Sequence, residues 1–343
     1  MLINLPIESL EERYSAAWNR GFPQEFTKRD VPYRTIYPQL SEGIERISRG
    51  QFLDVVRTNE FKASQLALLM QALDQGLIKD RDVLLFHDLW FPGLEMLFYV
   101  RDGLGINFKI AGLLHAGTYD EHDFLAQRSM TRWARGMETA WWSEVDAIFV
   151  ATEFHKKLLV AKRLANGNHV YVTGFPLFGN SVLIDPGLKE NIVVFPHRLA
   201  PEKGPEAFHA IRDLCLPHMP EWQFIRTKDV CKTKQEYYDL LRRSKIAVSC
   251  AHQETWGIAQ QEALFRGCIP IVPDRLSYQE LYPPVFRYQD PPEAAALIQH
   301  FSRRWEETVN GDIFKDAARK LEAAQGAAVP NMLQIMRSRG WNL

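Results

Sequence analysis

The feature that most constrains this chain is an alternation. A short apolar run ends in a polar or glycine-containing turn, a helix-like segment follows, and the pattern repeats. In the first half the runs are Leu2 to Leu5, Phe52 to Val56, Val83 to Phe86, Lys109 to Leu113, Ala147 to Ala151 and His169 to Val172. In the second half they are Asn191 to Phe195, Trp222 to Arg226, Ile246 to Ser249 and Ile269 to Val272. Helical stretches such as Ser64 to Gln75 and Arg128 to Ser143 lie between them. Such alternation predicts α/β units on parallel sheets. The length of 343 residues suits two domains. A Gly/Pro turn at Thr173-Gly174-Phe175-Pro176 predicts the boundary, with residues 1–173 before it and 174–330 after it. Gly326 and Pro330 set off a terminal helix, Asn331 to Leu343, expected to cross back to the first domain.

Charge removes one class of function. Lys and Arg number 41 against 42 Asp and Glu, a formal charge of -1, so no polyanion can be held by bulk charge alone. Nucleic acid or anionic lipid would have to meet a local patch. The four cysteines, Cys215, Cys231, Cys250 and Cys268, form no CxxC pair, which argues against a zinc ribbon or thioredoxin-type motif and favours a reduced compartment. The acidic N-terminus lacks the pattern of a signal peptide, and no apolar run approaches the ~20 residues of a membrane span. These features predict a cytoplasmic protein without membrane insertion.

Two segments carry the chemistry. In Ser249-Cys250-Ala251-His252-Gln253-Glu254-Thr255-Trp256-Gly257-Ile258, the chain leaves a strand end, where open α/β sheets place ligands, and enters a helix through Gly257. Free amides there favour an anion. Glu254 in the loop and Glu262 about two helical turns on can accept hydrogen bonds from different hydroxyls of one extended ligand. In Phe195-Pro196-His197-Arg198-Leu199-Ala200-Pro201-Glu202-Lys203, a strand delivers Arg198 and Lys203 to the same rim, a pair suited to a diphosphate.

Together these segments resemble the retaining glycosyltransferases of family four, across most of residues 190–285. The resemblance implies GT-B architecture, with two Rossmann-like domains facing each other across a cleft, and hexosyl or pentosyl transfer. It implies that Arg198 and Lys203 hold the diphosphate of a UDP- or GDP-sugar, that Glu254, Trp256 and the amides near Gly257 and Ile258 hold the sugar, and that Glu262 accepts from the ribose. No further cofactor and no metal are implied. Phe195-Pro196-His197-Arg198, Gly267-Cys268-Ile269-Pro270-Ile271-Val272-Pro273 and Leu276-Ser277-Tyr278-Gln279-Glu280-Leu281-Tyr282-Pro283 are similar to the tRNA-queuosine mannosyltransferase-like group, whose acceptor is a modified nucleic-acid base.

The first half is expected to read the acceptor. His87 with Asp88, and His115, follow strand-like runs and should lie at the rim. His115 resembles the strand-end histidine of the base-modifying group and would hold the sugar or acceptor hydroxyl. Tyr119 and Asp120 follow it on a polar loop. Arg128, Arg132 and Arg135, at i, i+4 and i+7 of one helix, would face phosphates, with Lys156, Lys157, Lys162 and Arg163 beyond them; Glu138 and Glu144 on that helix favour a plain solvated face instead. Trp133, Trp141 and Trp142 are core candidates, one of which could stack on an extruded base. Tyr14, Trp18 and Phe22 read as a buried stripe. His115, Asp120, His122 and Asp123 could compete as a metal site, but without a recognised ligand spacing.

The leading expectation is a retaining glycosyltransferase acting on a modified base, DNA slightly ahead of tRNA. Transfer to a lipid, glycan or small metabolite, and a non-catalytic nucleotide-binding module, are the alternatives.

Overall fold

The structure is a computed structural model that describes every residue except 10–13, 39–53, 163 and 180–184. The chain divides into two compact units, Met1–Phe178 with Gly326–Leu343, and Gly179–Gln325. Each is built on a wholly parallel sheet.

In the first unit the strands are β1 (Leu2–Leu5), β2 (Tyr33–Thr35), β3 (Val83–Phe86), β4 (Lys109–Leu113), β5 (Ala147–Val150) and β6 (Val170–Val172), in the order β2-β1-β3-β4-β5-β6. Every residue of β1, β3 and β5 is buried, as a parallel sheet covered on both faces requires. Helices Val55–Asp74, Leu94–Leu104 and Thr131–Glu144 supply Leu69, Leu97, Trp141 and Trp142 to the core around them.

The second unit holds β7 (Glu190–Phe195), β8 (Gln223–Arg226), β9 (Ser244–Val248), β10 (Ile269–Pro273) and β11 (Arg287–Tyr288), ordered β11-β10-β9-β7-β8. In both sheets the first strand of the unit sits between the second and the third. The order therefore reverses beside β1 in one unit and beside β7 in the other. At such a reversal neighbouring loops diverge to opposite faces and leave a crevice at the carboxyl ends of the strands.

Two expectations fail, each for a local reason. The run Phe52 to Val56 is not a strand where it is described: Asp54 accepts from the Arg57 amide at 3.0 Å and caps the helix Val55–Asp74, while Phe52 lies outside the described residues. A carboxylate on a free first-turn N–H outweighs the weak β preference of two valines. The sheet instead recruits Tyr33–Thr35, a three-residue edge strand with too little apolar character to be read from sequence. The terminal helix is not separate either. One helix runs Asp312–Ser338 straight through Gly326 and Pro330. An internal proline costs ~3 kcal/mol, and burial of Val329, Met332, Leu333 and Met336 at 2% exposure or less offsets it. Beyond the helix, the Asn342 amide donates to Arg81 O at 2.9 Å.

Tyr14, Trp18 and Phe22 share one face of the helix Tyr14–Lys28, with Trp18 and Phe22 fully buried. A Cβ on Gly21 of this helix would stand 2.2 Å from the Phe178 ring. On an exposed helix, Gly→Ala gains about 1 kcal/mol; here overpacking, typically 1–3 kcal/mol or about that, should win. Gly21→Ala is therefore expected to lower the thermal midpoint, and a raised midpoint would show that the ring yields freely.

Candidate active site

In the second unit the strand reversal lies between β7 and β9, and the two informative loops emerge there side by side. After β7 the chain passes through Pro196, His197 and Arg198 to the 3-10 turn Pro201–Lys203, then bends at Gly204 into the helix Pro205–Cys215. Gly204 has φ +66°, and a Cβ on it would lie 2.7 Å from Cys250 O. Only glycine lets the two loops come this close. The His252 amide ties them further by donating to Glu202 O at 2.8 Å.

Lys203 and Glu254 meet at this seam. Lys203 Nζ donates to Glu254 Oε2 at 3.1 Å and to Gln253 O at 2.6 Å, with both side chains largely buried. Glu254 Oε1 accepts from the amides of Gly257 at 2.9 Å and Thr255 at 3.2 Å. Burial alone would raise the Glu254 carboxyl, but the Lys203 charge and the Gly257 N–H overcome it and hold the group down at about 2. Arg198 is gripped by Glu202 through Nε at 2.8 Å. Of the residues expected to hold the diphosphate and the sugar, Lys203 and Glu254 thus meet and bind each other, while Arg198 is paired with Glu202. The Gly257 amide expected to face the sugar is taken by Glu254 itself. Trp256 is buried at 3% exposure, so its ring offers no open face, and among the described residues its indole Nε1 has no partner. Ile258 opens the helix Ile258–Leu264.

Glu262 is the fifth residue of that short helix, nearer one turn in than two. Its Oε1 accepts from Lys234 and Tyr238, each at 2.8 Å, and its Oε2 from Tyr237 at 2.9 Å and Lys234 at 3.1 Å. A ribose hydroxyl would have to replace one of these donors. The sequence carries a signal for these partners. Thr233 and Glu236 form a capping box that starts the helix Lys234–Arg243, and positions 234, 237 and 238 then share one face.

In the first unit His115 keeps the place expected of it at the end of β4. It is half-buried, and its Nε2 lies 2.8 Å from His87 O. A carbonyl can only accept, so Nε2 carries the proton and Nδ1 presents a lone pair, 3.4 Å from the Tyr14 hydroxyl. The rings of Trp18 and Phe175 stand 5.4 and 5.0 Å away. Burial pushes this imidazole below its ordinary pKa, against the pull of Asp88. Tyr14 and Trp18, read only as a buried stripe, are therefore the neighbours that shape His115.

Several other first-unit candidates are bonded within the unit. His87 is wholly enclosed, 2.7 Å from Asn4 Oδ1 and with the Phe22 ring centre 4.1 Å away; burial lowers its pKa to about 3. Its strand is central, so the first side chain past it turns inward. Tyr119 spends its hydroxyl on buried His155 at 2.5 Å. Asp88 pairs with Lys62 at 2.9 Å, Asp120 accepts from the His122 amide, and Asp123 caps the helix Phe124–Gln127. Among the described residues no three His, Cys, Asp or Glu side chains gather as a metal site would need. The expected arginine stripe is broken. Arg128 follows Phe124–Gln127, Ser129 takes φ +59°, and the next helix begins at Thr131, so only Arg132 and Arg135 share it. Glu138 is buried rather than solvated, accepting from the Thr118 amide at 2.7 Å and Trp90 Nε1 at 2.9 Å. Trp141 and Trp142 are core, while Trp133 is 48% exposed. Arg163 lies outside the described residues.

No protein-family model matches the chain. Over 70 residues, 20% of its length, it is 36% identical to the tRNA-queuosine alpha-mannosyltransferase of Drosophila melanogaster, of which that stretch spans only 19%. Solved structures are similar over the whole chain. Sucrose-phosphate synthase from Thermosynechococcus elongatus superposes with a TM-score of 0.67 at 15% identity over 98% of each chain. HepE of Anabaena in complex with UDP and glucose gives 0.60 at 10% identity over 99% of each. The lipopolysaccharide outer core galactosyltransferase WaaB, in its apo form, gives 0.58 at 13% identity over 99% of this chain and 100% of that one. The chain has the GT-B fold of these proteins, with two parallel-sheet α/β units.

The Lys203–Glu254 pair has measurable consequences. Because the Glu254 carboxyl titrates below its ordinary range, it stabilises the fold above that range, and the contribution is lost as pH falls towards about 2. Lys203→Met strands a buried carboxylate and should cost about 3–5 kcal/mol in denaturant unfolding. Adding Glu254→Gln to that variant should recover part of the loss and flatten the acid limb. Equal stability of the single and double variants would exclude the coupling.

Proposed function

We propose that this chain is a nucleotide-sugar-dependent retaining glycosyltransferase, with the donor bound in the second unit. The observation that carries the reading is the meeting of Lys203 and Glu254, beside Arg198, at the strand reversal between β7 and β9. This is the position at which an open parallel sheet offers a crevice, and two cations there match a diphosphate. The fold shared with HepE, whose structure holds UDP and glucose, supports the same reading.

The donor is a UDP- or GDP-sugar in this proposal. As the bond from the anomeric carbon to the diphosphate breaks, negative charge grows on the departing oxygen, and Arg198 and Lys203 stabilise it. The acceptor oxygen bonds to the same face of the anomeric carbon and gives its proton to a phosphate oxygen of the leaving group. Glu254 orients the sugar hydroxyls once the arriving diphosphate draws Lys203 away. Glu262 takes the ribose by exchanging one of its three neighbours. His115 Nδ1 accepts from a sugar or acceptor hydroxyl that takes the place of the Tyr14 hydroxyl now facing it. Residues 1–173 serve the acceptor, and 174–330 the donor.

The proposed acceptor is a modified nucleic-acid base, DNA slightly ahead of tRNA. The short match to the fly tRNA-queuosine alpha-mannosyltransferase supports this class, and Arg132, Arg135 and the exposed Trp133 are available for phosphate and base. Transfer to a glycan or lipid is the second reading, favoured by the fold shared with WaaB.

Donor turnover should fall at least ~100-fold in Arg198→Ala, Lys203→Ala and Glu254→Ala, since each removes a charge-assisted contact strengthened in the transition state. Undiminished sugar-nucleotide hydrolysis in all three would sink the site. For the acceptor, radiolabelled UDP- and GDP-sugars are incubated with hydroxymethylated DNA, tRNA, lipid extract and oligosaccharides. Label is expected in nucleic acid; label found only in lipid or oligosaccharide would overturn that part.

A further inference from the structure

His197 stands directly before Arg198, two residues past β7, on the loop that also carries Lys203. It is 4% exposed. The other enclosed histidines each commit Nε2 to a partner, His87 to Asn4 and His155 to Tyr119. His197 differs: among the described residues neither ring nitrogen makes a hydrogen bond, and Nε2 is sealed from solvent. Folded chains seldom leave a buried polar group unpaired, because it gave up water and received nothing in return. Such a group in a ligand crevice marks a contact that the ligand completes.

The surroundings narrow the ligand. The ring is packed edge-on to Phe195, centroids 5.2 Å apart, which holds its plane. Burial and then Lys203 drive its pKa down to about 3, against Glu254, so the imidazole is uncharged at neutral pH and keeps one N–H and one lone pair. The same groups that act on it electrostatically, Lys203, Glu254 and Arg198, are those assigned to the donor. A second unpartnered polar atom, the buried indole Nε1 of Trp256, belongs to the same turn as Glu254.

We infer that His197 is a third contact to the donor diphosphate, one ring N–H donating to a phosphate oxygen beside Arg198 and Lys203. It thereby recognises the diphosphate by direction rather than by charge. A third cation there would repel the other two, whereas an N–H on a fixed ring adds a bond and selects the oxygen it meets. This inference rests on the donor reading of the second unit. It adds a residue whose loss should leave nucleoside binding intact.

The test is calorimetric titration of the full chain with UDP, GDP, uridine and guanosine. For the diphosphate that the unaltered protein binds, His197→Phe should weaken affinity by about tenfold or more, the loss of a hydrogen bond to a charged group. The matching nucleoside should bind within about twofold in both proteins. Without ligand, the thermal midpoint of His197→Phe should equal or exceed that of the parent, because an unpaired buried polar group has gone. His197→Gln, whose amide restores a donor, should recover most of the diphosphate affinity. If phenylalanine is too large to fold in, His197→Leu makes the same comparison. Diphosphate affinity unchanged in His197→Phe, or an equal loss for diphosphate and nucleoside, would overturn the inference. If the unaltered protein binds neither UDP nor GDP, the donor reading itself fails, a result distinct from either.

Discussion

Glu254 is the group on which the rest of the second unit's site depends. One of its oxygens closes the turn that leads into the helix Ile258–Leu264, by accepting from Gly257, and the other holds Lys203 from the neighbouring loop. A buried carboxylate is tolerated only when its charge is matched and its lone pairs are filled. The requirement works in both directions. The loop after β7 must approach within reach of the loop after β9, and Gly204 at Cys250 O makes the approach sterically possible. Two residues 51 positions apart in the chain therefore register two strand-end loops against each other, and Lys203 and Arg198 are each held against a carboxylate.

The first unit handles its polar groups differently. His87, His155 and Glu138 are drawn inside and bonded to Asn4, Tyr119 and Thr118. They build a stiff frame beneath the strand ends, and His115 rests on that frame through its bond to the His87 carbonyl. The carbonyl fixes which nitrogen bears the proton. An aromatic enclosure from Tyr14, Trp18 and Phe175 then sets where the ring can go. Such support holds a side chain in one orientation.

Much of this was legible in the residues. Val83-Leu84-Leu85-Phe86 and Ile192-Val193-Val194-Phe195 could hardly be anything but strands covered on both faces, and two parallel α/β units follow from the repetition of such runs, whereas the GT-B architecture was implied only by the family resemblance. Arg198, Lys203 and Glu254 were legible as residues of one rim because all three follow strand ends. Less was visible where a single contact outweighs a propensity. Asp54 turns a β-branched run into a helix start, Ser129 interrupts the arginine stripe, and the apolar face around Pro330 carries a helix past a residue that ordinarily stops one.

The sequence by itself determined the class of fold, the place of the strand-end loops and the presence of the charged residues in them, because periodicity and turn chemistry are local properties of the chain. Only the tertiary structure decided what each polar group does. Whether a histidine is walled in like His87, shaped and half-open like His115, or buried without a partner like His197 depends on atoms tens of residues away. Likewise Glu262, expected from the sequence to accept from a ligand, is saturated by Lys234, Tyr237 and Tyr238 from another helix. Hydrogen-bond satisfaction and desolvation are set by three-dimensional neighbours, and no spacing rule along the chain encodes them.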